Sequence, residues 1–347
     1  MKILFAAPVS FYQYTFFISQ YVMGLAKASK SLGHDVRIVR TTENMYNPFL
    51  WKFIEKEFQI LRQLFRSLVD IPHDLLLMIQ VYREIKEYKP DVLFLHLVDT
   101  SYFSYIVKHI KNQECKVLVW LGVHPSRVSK GIHDLLRQAD CALIYDATYL
   151  DYFQSIDIKN TKVIPLGCDV SYYASVNPDT ETKKKLRADV SFVGLFDPFR
   201  EKYLKALSEF NLGVWSWNIK DYNTPLRKFH RGTAFGESMV KVFKSSKIVI
   251  NIHREFEING GNYRLFEIPA CGAFQLVDNK KEIGKHFEIG KEIVTFDDED
   301  DLKSKVRYYI ANESEREKIA RAGYERTRRD HSLVSRMKEI IAVLDGN

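Results

Sequence analysis

The sequence predicts an α/β protein built as two Rossmann-like parallel-sheet domains facing a central cleft. Three observations carry this reading. Apolar runs of strand length alternate with stretches of helical spacing, as parallel strands covered on both faces by helices require. The alternation halts at a polar, lysine-rich tract, NPDTETKKKLRAD, and then restarts. The 347 residues also exceed what one hydrophobic core usually organises. The expected boundaries are an N-terminal domain over 1–170, a C-terminal domain over 171–330 and a final helix over 331–347.

In the first half, KILFAAP reads as a buried strand, and residues from Phe16 to Leu32 have helical spacing that ends at Gly33 before the strand DVRIVRT. The strand signal returns in KPDVLFLHL, CKVLVWLGV, ADCALIYD and TKVIPLG. Between the second and third strands lies an aromatic, amphipathic helical insertion, near residues 48–89 and broken near Pro72. It is read either as a helical cover for the sheet or as a surface for a membrane or partner, because aromatic and basic residues share it.

In the second half the order is VSFVGLF (strand), FREKYLKALSEF (helix), GVWSW (strand), GESMVKVFKSS (helix) and KIVINIH (strand), followed by AFQLVD and KEIVTF (strands). DDEDD, residues 297–301, follows a strand and opens a helix, where carboxylates favour the dipole, so it reads as capping with no metal expected. In parallel sheets of this kind ligands sit beyond the carboxyl ends of the strands, so the cleft is the expected site.

The formal charge of +7 favours anionic partners without selecting among them. Cys115, Cys141, Cys168 and Cys271 form no zinc pattern and fit a reducing cytoplasm. No apolar run is long enough to span a bilayer, although peripheral contact at the inner face of the membrane stays compatible with the sequence. No Walker lysine loop, Gly-x-Ser-x-Gly or zinc-hydrolase pattern occurs, and no nucleic-acid motif accompanies the positive charge.

The most informative stretch is NGGNYRLFEIPACGAF, residues 259–274. Gly260 and Gly261 allow close approach of a ligand to the backbone, and the amides of a helix opening at Asn262 favour an anion. Arg264 and Glu267, three apart, share a helix face, where one could grip phosphate and the other accept hydrogen bonds from ribose hydroxyls. The residues alone equally allow a surface Arg-Glu pair beside an Asn cap. His253 and Arg254 follow the strand leading to the glycines and read as cleft-lining or as plain loop residues.

From about Asp189 to Glu339 the sequence resembles the nucleotide-binding domain of GT-B glycosyltransferases, in particular the CgeB-like branch, through Asn262, Arg264, Phe266 and Glu267 followed by Ala270, Cys271 and Gly272. KPDVLFLH, VLVWLGVHP, ADCALIYD and KVIPLGCD resemble the first half of the same fold more loosely. The resemblance implies that Glu267 holds the nucleotide ribose and that basic residues after the first strand of this domain, here Arg200 and Lys202, grip the diphosphate. It further implies that His124 faces the donor sugar and that the last helix returns to the N-terminal domain. Asp99, at another strand end, is a second candidate base, with a helix cap as the alternative. Where the family's motif has its first glutamate, this chain has Asn259.

The resulting expectation is a metal-independent glycosyltransferase that uses a UDP- or GDP-linked sugar as substrate, needs no cofactor, and acts on a glycan, lipid-linked or protein acceptor. Two alternatives are a nucleotide-sugar epimerase and a non-catalytic nucleotide- or glycan-binding protein of the same fold. Nucleic acid is not an expected partner, and the oligomeric state is not readable from the sequence.

Overall fold

The structure is a computed structural model that describes residues 1–7, 13–40, 79–96, 106–108, 110, 114–122 and 130–346. It divides into two compact units, Met1–Ile164 with Met337–Asn347, and Pro165–Arg336. Asp99, His124 and insertion residues 48–78 lie outside the described residues.

The first unit holds a parallel sheet in the order β2-β1-β3-β4-β5-β6. Its strands are β1 (Lys2–Ala7), β2 (Asp35–Arg40), β3 (Val92–His96), β4 (Lys116–Leu121), β5 (Cys141–Ile144) and β6 (Thr161–Val163). Every residue of β3 is buried, as expected of a strand covered on both faces. The helix Gln13–Ser31 is followed by Gly33 in the left-handed region at φ 85°, which terminates it. The described part of the insertion is helical over 79–88 and contributes Val81, Ile85 and Tyr88 to the same core as Leu93, Leu95, Val117 and Val119. Burying each such side chain is worth roughly 1.5–3 kcal/mol. At the far end of the chain, the Leu344 carbonyl accepts a bond from Lys116 Nζ on β4.

The second unit holds a parallel sheet in the order β12-β11-β10-β7-β8-β9. These strands are β7 (Ala188–Val193), β8 (Leu212–Trp215), β9 (His230–Gly232), β10 (Ser246–Asn251), β11 (Gln275–Asp278) and β12 (Val294–Phe296). The chain leaves β7 toward β8 on one side and later returns to β10 on the other, so the strand order reverses between β7 and β10. β9 has no counterpart in the sequence reading, since three polar or small residues carry no strand signal. Asp298 caps the helix Glu299–Ala311 by accepting from the Asp301 amide at 2.8 Å, so the acidic run does capping work. Trp215, the last residue of β8, is in the core, while Trp217, beyond the strand, is 49% exposed.

Segments 165–170 and 331–336 belong to the second unit because they bind each other. Cys168 N donates to His331 O, Leu333 N to Cys168 O, and Arg336 Nε to Leu166 O. A Cβ on Gly167 would meet His331 O at 2.6 Å, so only glycine lets the segments approach this closely. His331 donates through Nε2 to His286 O at 2.8 Å, and its Nδ1 accepts from Arg336 Nη2 at 2.7 Å. The His331 ring is therefore seated neutral, with one nitrogen donating and the other accepting.

Burial, aided by Arg336 and Arg326, lowers His331 to about 3, and burial lowers His286 to about 4, with Arg336, Lys285 and Arg326 opposing the smaller pull of Glu282. The unfolded rings titrate near 6.5, so they bind protons that the folded rings refuse. Stability from these rings is therefore full above pH 6.5 and is lost as pH falls through 4 toward 3. Denaturant unfolding at pH 7 and pH 4.5 should show this decline, and His331→Gln, which keeps a donor but takes up no proton, should flatten it. An identical acid limb in the variant would remove His331 from the explanation.

Candidate functional site

The reversal between β7 and β10 leaves a gap beyond the strand ends, because the connections that follow these strands run to opposite sides of the sheet. Three connections meet there: those after β7, β10 and β11.

After β7, Asp197 caps the helix Pro198–Ala206 by accepting from the Arg200 amide at 2.8 Å, with Pro198 pre-set for the first turn. The Arg200 side chain is 10% exposed and turns inward. Its Nε donates to Ile252 O and its Nη1 to Leu195 O, each at 2.9 Å, which fastens the loop after β10 to the loop after β7. Burial lowers its pKa while Asp197 and Glu257 oppose that change. Lys202 stands on the other side of the helix, its Nζ 3.6 Å from Glu299 and over the ring of Tyr203. Arg200 and Lys202 are thus not brought to one place. Residues two apart on a helix diverge by about 200°.

After β10, a reciprocal pair of amide bonds joins Asn251 to Asn262, at 3.0 and 3.1 Å. Asn262 Oδ1 also accepts from the Leu265 amide, so Asn262 caps the helix Tyr263–Ala270 and ties its start to the strand end. Between them His253 is wholly buried. Asp278 Oδ1, at the end of β11, accepts from the His253 amide at 2.9 Å and from its Nδ1 at 2.7 Å. That fixes the tautomer, so Nε2 accepts the Gly261 amide at 3.2 Å. His253 therefore holds the glycine loop instead of presenting a free ring nitrogen. Burial raises the Asp278 carboxyl, but its His253 bonds and Lys280 outweigh this and leave it lowered.

Gly260 and Gly261 have φ of 77° and 150°, conformations that L side chains rarely adopt. A Cβ on Gly260 would meet Lys280 Cβ at 2.6 Å, whereas one on Gly261 would meet nothing within 4 Å. The loop thus lies directly on the Lys280 stem and is open on its other side. Asn259, at the position of the missing glutamate, is buried, and its carbonyl accepts from the Glu282 amide.

Arg264 and Glu267 do meet, and Glu267 is only 5% exposed in its side chain, so this is no surface pair. Arg264 Nη1 binds Glu267 Oε2, and Arg264 Nε donates to Val193 O at 3.3 Å at the end of β7. The other carboxylate oxygen, Oε1, accepts from Tyr173 Oη at 2.6 Å. Tyr173 belongs to the helix Val170–Ser175, and burial, reinforced by Glu267, pushes its phenol well above the usual range, so it stays a donor. Sequence reasoning did not single out Tyr173, Asp278 or Lys280: Tyr173 lies far along the chain from Glu267, Asp278 from His253, and Lys280 from the Gly260 it underlies. Burial raises Cys168 and Cys271 far above a reactive thiol range, which argues against thiolate chemistry at the helix end.

Among the described residues no group of acidic, His or Cys side chains could hold a metal ion. No described helix is long and apolar enough to cross a membrane.

Removing the Arg200 guanidinium should orphan the buried Ile252 carbonyl and the partly buried Leu195 carbonyl, at about 1–3 kcal/mol for each unsatisfied group. Arg200→Ala should therefore lower unfolding free energy by about 3 kcal/mol, measured by denaturant titration. A change under about 0.5 kcal/mol would show that the clamp carries no stability.

Comparison with known proteins supports the same reading. Residues 196–342 match the family model described as Glycosyl transferase-like. The chain is 23% identical over 263 residues to Spore protein CgeB of Bacillus subtilis (strain 168), covering 70% of this chain and 80% of that protein. Among solved structures it is similar to the catalytic domain of Starch Synthase IV from Arabidopsis thaliana bound to ADP and acarbose, with TM-score 0.69, 12% identity and 98% coverage of both chains. It is likewise similar to Anabaena Alr3699/HepE in complex with UDP-glucose, with TM-score 0.63, 13% identity and full coverage of both chains. The chain thus has the GT-B fold, its residues 196–342 match a glycosyl transferase-like family model, and its sequence is similar to Spore protein CgeB.

Proposed function

We propose that the protein transfers a sugar from a nucleoside-diphosphate donor to an acceptor bound by its first unit, without a metal ion. The observation that carries this reading is the buried Glu267 carboxylate, bonded by Tyr173 and Arg264, beside an open glycine loop at the strand-order reversal. A carboxylate offers about four lone-pair positions, and Tyr173 and Arg264 each take one, which leaves capacity for two ribose hydroxyls. A phosphate arriving at the loop would offer Arg264 an acceptor beyond Glu267 and Val193 O. Departure of the nucleoside diphosphate would then be assisted by cations positioned before the reaction, which is how such sites stabilise developing charge.

Arg200 serves this reading as the clamp that sets the loops, and Lys202 as a more distant charge. His124 and Asp99 are proposed to act at the sugar, as general acid or base, from the first unit. The solved relatives bound to ADP or UDP-glucose support a nucleotide-linked donor, and a UDP- or GDP-linked sugar is the donor proposed here. A glycan, lipid-linked or protein acceptor is proposed, and the enzyme is proposed to be cytoplasmic, a location compatible with peripheral contact at the inner face of the membrane.

Thermal unfolding of the full chain with UDP, GDP, CMP and ADP, and with their sugar conjugates, tests the reading. One nucleotide class should raise Tm, and Glu267→Ala should abolish the rise. The stabilising sugar conjugate should then be hydrolysed slowly without acceptor, and His124→Ala should stop this. Stabilisation without any turnover would favour the binding-only alternative, and isomerised donor would favour the epimerase. The absence of stabilisation by every nucleotide would contradict the proposal.

A further inference from the structure

The amide groups at the glycine loop are less available to an anion than the sequence suggests. The Gly261 amide is committed to His253 Nε2, and Asn262 Oδ1 takes the Leu265 amide. Of the basic side chains expected to meet phosphate, Arg200 is committed to two carbonyls and Lys202 faces Glu299. A nucleoside diphosphate, with more than two negative charges at neutral pH, would be favoured by another cation at this point.

Lys280 stands two residues past Asp278 at the end of β11, next to the loop after β10. Gly260 packs on its Cβ and Cγ, which leaves its side chain 16% exposed. Its Nζ lies 3.4 Å from Asp278 Oδ2, which makes no hydrogen bond, and 5.7 Å from the centre of the Phe199 ring at the start of the helix after β7. Charge-assisted bonds are about 2.7–2.9 Å long, so Asp278 attracts and aims the ammonium without engaging its donors. The His253 bonds saturate the other oxygen of Asp278, so the same carboxylate aligns both the loop and the lysine.

We propose that Lys280 is a phosphate-binding residue of this site, aimed by Asp278 across the base of the glycine loop to meet the distal phosphate of a nucleoside diphosphate. The assignment rests on the nucleotide reading given above and names a contact that reading does not contain. A lysine is suited to the task because its compact ammonium acts as a point charge, with three donors able to follow a rotating phosphate.

Calorimetric titration of the full chain with UDP and UMP, and with GDP and GMP, separates direct contact from support of the loop. Lys280→Gln keeps the stem beneath Gly260 and removes the charge. It should weaken the diphosphate by about tenfold or more while changing the monophosphate by less than about twofold. Lys280→Arg should restore most of the lost affinity. Equal losses for both ligands would show that Lys280 only supports the loop, and no loss for either would remove it from the site; both outcomes overturn the assignment and leave the nucleotide reading intact. Failure of the wild-type chain to bind any of the four nucleotides would bring down the UDP- or GDP-linked donor proposed above, and this assignment with it.

Discussion

A carboxylate removed from water is tolerated only when donors replace the water it loses, and Glu267 is the group on which the second unit's site depends. Leaving such a charge unpaired costs several kcal/mol, so its neighbours are constrained as tightly as it is. Tyr173 reaches it from a helix 94 residues earlier, and Arg264 from one turn before it. Arg264 in turn leans on the Val193 carbonyl, which ties the pair to the end of the strand that opens this domain. The site is therefore held from three directions before any ligand arrives, and little reorganisation is needed when one does.

The same economy appears at the second buried carboxylate. Asp278 fixes the His253 tautomer, His253 fixes the Gly261 amide, and Asp278 also draws Lys280 beneath Gly260. Arg200 completes the frame from the third strand end by crossing between the loops after β7 and β10. Charged side chains that a sequence reader assigns to ligand binding thus have partners within the protein. Arg200 holds the loops by bonding carbonyls, Lys202 pairs with Glu299, and Arg264 and Glu267 bond each other.

Much of the architecture was legible because it is local. Short, largely apolar runs such as VLFLH and IVIN between helical stretches read as strands covered on both faces, and both are buried strands. The cap at Asn262, the positive-φ glycines and the stop at Gly272 follow from residue types that few other conformations would use. The cap on the acidic run at Asp298 was readable for the same reason. β9 was not, since its three residues become a strand only by pairing with β8. Tyr173, Asp278 and Lys280 were hidden because their roles arise from contacts between distant segments, which no spacing rule encodes. The divergence of Arg200 from Lys202 follows from the helix period, so it could have been read from their two-residue separation.

The central claim is that the Glu267 carboxylate receives ribose hydroxyls. The most direct measurement is the affinity of the full chain for the best-binding nucleoside diphosphate and for its 2′,3′-dideoxy analogue, in wild type and in Glu267→Gln. The account predicts that the analogue binds about tenfold or more weakly to wild type and that the variant hardly distinguishes the two, because the hydroxyls and the carboxylate form one interaction. Equal affinity of wild type for both ligands, or undiminished discrimination in Glu267→Gln, would contradict it.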